Sequence, residues 1–171
     1  DADKFITHTA VDDFISRNSF SYSFTPETVV CYSSNEALMQ AEQFFDKWNS
    51  VVTKKPQSGR GQGVNHVKSK AQLRALLKDD FNRSDPILLQ QPIEKELNES
   101  GGQRDIRVWA YRDAQTSQSR FYAAYFRNAP AGQFLTNISQ GGYISPIPEV
   151  DSELVAYSEC VLDAVSGDVL G

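Results

Sequence analysis

Cysteine and histidine are the scarcest reactive residues in this chain: Cys31 and Cys160, His8 and His66, two of each. Two cysteines so far apart make no disulfide framework, and the histidines give no zinc-ligand spacing. Each cysteine stands beside apolar residues, which predicts a buried, reduced thiol. No apolar run approaches the length of a membrane span, and there is no signal-peptide core. Basic charge is short as well. Lys and Arg number 17 against 22 Asp and Glu, a net charge of −5. That excludes a general nucleic-acid binder, whose affinity would come from a broad basic face. The default expectation is a cytoplasmic enzyme or binding domain. No internal repeat or low-complexity tract occurs. The start lacks methionine and the end lacks a polar tail, so the chain reads as cut from something longer.

What is present suffices for one core of ordinary size or for two small lobes: 171 residues, 40% of them hydrophobic. Apolar Phe5, Ile6, Ala10, Val11, Phe14 and Ile15 predict a helix from Asp3 to about Ser16, behind possible caps Asp1 and Asp3. "TPETVVCYSS" reads as a short strand. Ser34 or Asn35 is the expected cap of a second helix, with Leu38, Ala41, Phe44, Phe45 and Trp48 on one face. Val51–Lys54 and Val64–Val67 predict a hairpin around a glycine-rich tip. A third helix follows Ser69, with Leu73, Leu76, Leu77 and Phe81 on its apolar side. "PILLQQPIE" is a strand ended by Pro92. "DIRVWAYRD" and "RFYAAYFRN" read as an antiparallel aromatic-rich pair. "APAGQFLTNISQGGYISPIP" is a long Gly/Pro-punctuated loop and a functional candidate. Asp151 and Ser152 open a closing helix. The fold class is α+β in two lobes, each with an antiparallel sheet and helices, the second incomplete.

The tip "TKKPQSGRGQGV" crowds Lys54, Lys55 and Arg60 around Gly59, Gly61 and Gly63. Glycines let backbone N–H groups approach a ligand closely, and the cations point to phosphate. Neither GxxxxGK[ST] nor GxGxxG is present, and no helix follows the loop. Any phosphate grip must therefore come from backbone N–H groups and flanking cations. A solvated hairpin tip with incidental charge remains the plain alternative for the loop alone.

The order "DKF", "TPETVV", "VVTKKPQSGRGQGV", "ILLQQPI", "DIRVWAY" and "TNISQGG" resembles the ATP-grasp superfamily. Within it, the blocks are similar to the branch of glutathione synthetases, ribosomal-protein glutamate ligases and spore-associated grasp proteins. That resemblance implies residues 1–24 as opening helix and linker, 25–93 as the small lobe and 94–171 as part of the large lobe. It implies ATP as ligand, with Lys55 on its phosphates, Lys54 as the alternative, and Lys4 nearby. Ser58, Gly59, Arg60, Gly61 and Gly63 would form the closing loop. "QQPI" would be the hinge, with Gln90 toward the adenine amine and Gln91 and Ile93 offering backbone to the ring edge. Asp105 would lie near the ribose, with Arg107 as the substrate or phosphate arginine, Arg127 meeting the acyl phosphate, and Asn137, Gly141 and Gly142 in the loop lining that site.

The implied activity is carboxylate–amine ligation through an acyl phosphate, with a small-molecule or peptide carboxylate and an amine as partners, no nucleic acid and no membrane. Two departures stand out. Leu135 occupies the place where glutathione and glutamate ligases carry arginine. The acidic strand and Glu-x-Asn strand that hold magnesium in the family are missing, so the metal ligands are expected beyond residue 171. The one E-x-N, Glu96-Leu97-Asn98, reads as solvated loop. A non-catalytic ATP-binding module of the same fold is the alternative.

Overall fold

The structure, a computed structural model, describes residues 4–18, 25–56, 62–80 and 86–167. The chain divides into two compact units, the first being Asp1–Phe5 with Pro26–Glu94 and the second Ile6–Thr25 with Lys95–Gly171. Helix α1, Lys4–Asn18, opens the described chain. Its expected caps Asp1 and Asp3 lie outside the described residues.

The first unit builds a four-stranded antiparallel sheet from β1 (Thr28–Cys31), β2 (Val51–Lys54), β3 (Asn65–Val67) and β4 (Ile87–Gln90), in the order β1-β4-β2-β3. Helices α2 (Ser34–Trp48) and α3 (Lys70–Asp80) pack on it. The core gathers alternate strand residues Cys31, Val51, Val67, Ile87 and Leu89 against Ala41, Phe44 and Leu73 of the helices, as period-2 and period-3.6 patterns require. The α2 cap is Ser33, one residue before the expected Ser34 or Asn35. Its extended backbone lets its side-chain oxygen accept from Glu36 N–H, and the Glu36 carboxylate accepts from Tyr32 N–H at 2.8 Å. Ser33 and Glu36 thus supply the S-x-x-E spacing of a reciprocal cap. Ser69 caps α3, accepting from Gln72 N–H at 3.1 Å, as expected. Phe81 falls outside the described residues.

The second unit holds β5 (Arg104–Arg112), β6 (Ser119–Asn128) and β7 (Tyr143–Pro146) in one antiparallel sheet, with α4 (Ser152–Gly167) against it. Strand β7 lies inside the segment expected to be loop. Asn128 to Tyr125 of β6 pair with Tyr143 to Pro146, so a long-range edge supplies the ladder that local propensity did not. A single 3-10 turn, Ile138–Gln140, precedes it. The pair β5–β6 carries a bulge at Trp109/Ala110, with Tyr122 the extra residue. Ile106, Val108 and Ala110 face α4 across an apolar groove of about 440 Å³ that Leu154, Tyr157 and Val161 also line. Asp105, Arg107, Trp109 and Tyr111 take the other face, since side chains alternate.

Glu96-Leu97-Asn98 is not simply solvated loop. Asn98 is buried; its carbonyl accepts from Ser100 N–H, Ser100 Oγ–H and Gly102 N–H, and its amide donates to Ala129 C=O at 2.9 Å. It organises the turn into β5. Cys31 is fully buried, whereas Cys160 is only half-buried, and both thiols are free. Among the described residues no helix is long and apolar enough to cross a membrane.

Candidate functional site

In the first unit the candidates sit where β2 and β4 end side by side. Strand β2 stops at Lys54, and Lys55 and Pro56 carry the chain toward the glycine-rich tip, whose Ser58, Gly59, Arg60 and Gly61 lie outside the described residues, as does the Lys4 side chain. Gly63 returns from the tip at φ +67°, a left-handed conformation that favours glycine. A Cβ there would stand 2.9 Å from Lys55 Cγ, so the bare glycine leaves room for the lysine stem to lie against the backbone.

Gln90 and Gln91 have structural partners. The Gln90 amide donates to Thr28 Oγ1 of β1 at 2.8 Å while its carbonyl accepts from Lys54 Nζ of β2. It ties the strands on both sides of β4. Gln91 exchanges bonds with Glu27: its backbone N–H donates to Glu27 C=O at 2.8 Å, and its side-chain carbonyl accepts from Glu27 N–H at 3.2 Å. Both side-chain amides at the end of the leucine run therefore have partners within the sheet. Ile93, beyond Pro92, is exposed.

The second unit is organised around one carboxylate. Asp105 Oδ1 accepts from Arg127 Nε at 2.6 Å, and Oδ2 accepts from Lys95 Nζ at 2.9 Å and from Thr136 Oγ1 at 2.7 Å. The register dictates the first contact, because Asp105 and Arg127 are directly opposed on β5 and β6. All three charged side chains are about four-fifths buried (Asp105 20%, Arg127 19% and Lys95 22% exposed). Burial opposes ionisation of Asp105. The bonds from Arg127, Thr136 and Lys95 outweigh it and hold the carboxyl below the usual carboxylate range. Lys95 also lies over the Phe134 ring, 5.2 Å from its centroid. The cluster thus ties β5, β6 and the loop carrying Phe134, Leu135 and Thr136 into one piece.

Arg107 lies one step along β5 on the same face as Asp105 and is exposed, opposite Tyr125. Asn137 begins the 3-10 turn, and its carbonyl accepts from Gln140 N–H and Gly142 N–H. Gly141 closes the turn at φ +86°. A Cβ on Gly142 would come within 2.4 Å of Thr136 C=O and 2.9 Å of Asn128 C=O, so only glycine lets this loop lie on the end of β6. The second unit thus brings Asp105, Arg107 and Arg127 onto one sheet face, with Asn137, Gly141 and Gly142 in the adjoining loop. Lys95 and Thr136 were missed. Thr136 could have been found beside Asn137 in the "TN" pair, whereas Lys95, in Glu-Lys-Glu, looks like any solvated lysine. Among the described residues no three His, Cys, Asp or Glu side chains converge as a metal site would require.

Residues 3–164 match the family described as YheC/D like ATP-grasp. A D-alanine–D-alanine ligase of Vibrio parahaemolyticus is 29% identical over 87 residues, covering 51% of this chain and 24% of that protein. The solved D-alanyl-alanine synthetase A of Vibrio cholerae superposes with a TM-score of 0.62 at 14% identity, covering 94% of this chain and 48% of that one. A RimK domain ATP-grasp protein of Sphaerobacter thermophilus gives 0.59 at 17% identity, covering 92% and 49%. This chain therefore spans about a quarter of that curated relative and about half of those solved structures. With a family match over nearly its whole length and an ATP-grasp α+β fold, the chain belongs to the YheC/D-like ATP-grasp family.

Proposed function

We propose that this chain is the ATP-binding portion of an ATP-dependent ligase that joins a carboxylate to an amine through an acyl phosphate. The observation that carries the reading is the pairing of two guanidiniums on one face of β5–β6. Arg127 is held by Asp105, and Arg107 stands diagonally from it, about 7–8 Å away between backbones. One held and one exposed arginine on the same face suit an anion with spread oxygens, because the planar fork matches carboxylate and phosphate geometry.

ATP-grasp proteins use ATP and magnesium, and ATP supplies the phosphoryl group that activates the carboxylate. The residues present fit a nucleotide in one respect that does not depend on resemblance: Gly63 leaves the space in which the Lys55 stem lies, at the neck of a glycine-rich loop. Lys55, with Lys4 and the Ser58–Gly63 loop, would hold the phosphates by charge and backbone N–H groups. Gln91 and Ile93 would offer backbone to the base. Gln90 would act through the sheet, since both ends of its amide are engaged by Thr28 and Lys54. Arg107 would orient the carboxylate, and Arg127 would stabilise negative charge developing beside it, which is where preorganised cations contribute most. Asp105 keeps Arg127 in place and needs no proton transfer to do so. Among the described residues no cluster of carboxylates, histidines or cysteines offers magnesium its ligands.

The test is calorimetric titration of ATP with magnesium into the chain and into Lys55→Ala. Saturable binding that weakens at least about tenfold in the variant is expected, since a charged hydrogen bond to phosphate is worth roughly 1.5–3 kcal/mol. Equal affinity in the two proteins, or no binding by the parent chain, would refute the assignment.

A further inference from the structure

The sheet face that carries Arg107 and Arg127 runs on to β7, and there its character changes. Two rows cross the three strands on this face. Asp105 stands opposite Arg127, and Arg127 opposite Ile144; Arg107 stands opposite Tyr125, and Tyr125 opposite Pro146. Asn128 and Ser145 mark the other face, where their side chains meet at 3.0 Å. Ile144, one residue before Ser145, therefore points with Arg127. Ile144 is 55% exposed, Pro146 is exposed and Tyr125 is half-buried. A lone exposed isoleucine is ordinary on a protein surface. This one stands in a long run without charge. From Asn128 to Pro148 there is no Asp, Glu, Lys, Arg or His, in a chain of which 23% is charged. The cations beside Asp105 come from β5, β6 and Lys95, and the β7 side adds none.

We infer that Tyr125, Ile144 and Pro146 form a seat for the side chain of the carboxylate substrate, and that this side chain is apolar and uncharged. A carboxylate shared by Arg107 and Arg127 lies over the diagonal between them, about 7–8 Å long between backbones. Asp105 and Tyr125 occupy the other two corners of that cell. Asp105 is engaged by three donors and is closed to a further group. Trp109 lies beyond Arg107, two rows away from Arg127. The open way leads over Tyr125 to Pro146 and Ile144, one strand spacing of about 5 Å further, which a leucine-sized side chain spans. A second carboxylate placed there would lose water and gain no cation. A branched alkyl group would instead cover Ile144 and remove apolar surface from water. The seat rests on the reading of Arg107 and Arg127 as ligands of the substrate anion, and it narrows that substrate by its side chain.

The test uses the whole chain with magnesium and a non-hydrolysable ATP analogue, whose own binding is measured in parallel. The probes are N-acetylleucine, N-acetylglycine and N-acetylglutamate, titrated by calorimetry. N-acetylleucine is expected to bind at least about tenfold more tightly than either of the others. Ile144→Ala should lower the leucine-to-glycine ratio at least about threefold. Ile144→Arg should reverse the preference for leucine over glutamate, because it supplies the missing cation. The side chain is more than half exposed, so an unchanged thermal midpoint shows that each variant is folded. Equal affinity for the leucine and glycine derivatives, tighter binding of N-acetylglutamate by the parent chain, or ratios that neither variant moves would overturn the inference. So would binding of the analogue with none of the three derivatives. Loss of analogue affinity in Ile144→Ala with unchanged ratios would also overturn it, by placing the nucleotide base on this rim. Selective binding of N-acetylleucine without binding of the analogue would count against the nucleotide reading and leave the seat standing. Undiminished binding of N-acetylleucine by Arg107→Ala would refute the carboxylate grip on which the seat depends.

Discussion

Replacing Asp105 by Asn keeps the shape of the side chain and removes its charge, leaving Arg127 and Lys95 facing an amide. Three hydrogen bonds end on that carboxylate, two of them from cations. Each charged bond contributes roughly 1.5–3 kcal/mol, and breaking one partner out of a buried pair costs about 3–5 kcal/mol. The cluster is about one-fifth exposed, and the amide oxygen can still accept one donor, so a loss of about 2–3 kcal/mol is expected. For a chain of this length that lowers the thermal midpoint by about 5–10 °C. Trp48 lies in the first unit and Trp109 in the second. In a Trp48→Phe background, urea melting followed by fluorescence therefore reads the second unit alone. The pH dependence carries the same signature. Because the folded carboxyl is held below its ordinary value, its stabilisation is complete above the unfolded value and is lost as pH falls from about 4 through the lower folded one. Asp105→Asn should remove that part of the acid-side slope. A loss under about 0.5 kcal/mol with an unchanged slope would show that the three donors are solvated and that Asp105 organises nothing.

Gly142→Ala should lower stability by about 1–3 kcal/mol through overpacking, because the new methyl would meet backbone carbonyls of Thr136 and Asn128, which cannot swing aside. Hydrogen exchange at β7 should rise with it, and an unchanged melt would mean that the loop lies differently. Burial, with Glu36 nearby, pushes the Cys31 thiol up to about 11, and Cys160 is half-buried. At pH 8 a thiol reagent should therefore modify Cys160 first and reach Cys31 only on unfolding. Since the folded thiol ionises later than the unfolded one, its contribution to stability is complete below about pH 8.5 and lost as pH rises toward 11. Rapid labelling of Cys31 in native protein would contradict its burial.

The helices and most strands were legible because each carries a pattern with punctuation: Ala41, Phe44 and Trp48 at helical spacing, the β-branched run Val51-Val52-Thr53, and Pro92 after the leucine run. Strand β7 was not. Tyr143–Pro146 is four residues ending in proline, and its pairing comes from the edge of β6, a partner far enough away that local propensity carries no trace of it. The order β1-β4-β2-β3 is hidden for the same reason. At the site, residue types were legible and their partners were not. The resemblance placed Asp105 beside the ribose, whereas its shortest contact is across the sheet, to Arg127. For Gln90 and Gln91 the resemblance implied a place beside adenine, and the sequence showed no partner within the sheet. Their bonds to Thr28, Lys54 and Glu27 depend on register.

One physical device recurs in both units. A long cationic side chain loses up to about 2 kcal/mol of rotamer freedom when it is fixed, and a site that needs it in one place loses that affinity if the ligand must do the fixing. In the first unit the carbonyl of Gln90 holds Lys54, and the bare Cα of Gly63 leaves room for the Lys55 stem. In the second, Asp105 holds Arg127 and Lys95 together and adds Thr136 from the loop. The charges are oriented by the fold before any anion arrives. A counter-ion that holds a cation also competes with the ligand for it, which argues for the division observed. Arg127 is clamped, whereas Arg107, one step along the same face, stays exposed. On this account the clamped arginine supplies a fixed field and the exposed one makes the direct grip. Arg107→Lys, which keeps charge but loses the fork, should then impair carboxylate binding more than Arg127→Lys does. The reverse ranking would assign the grip to Arg127.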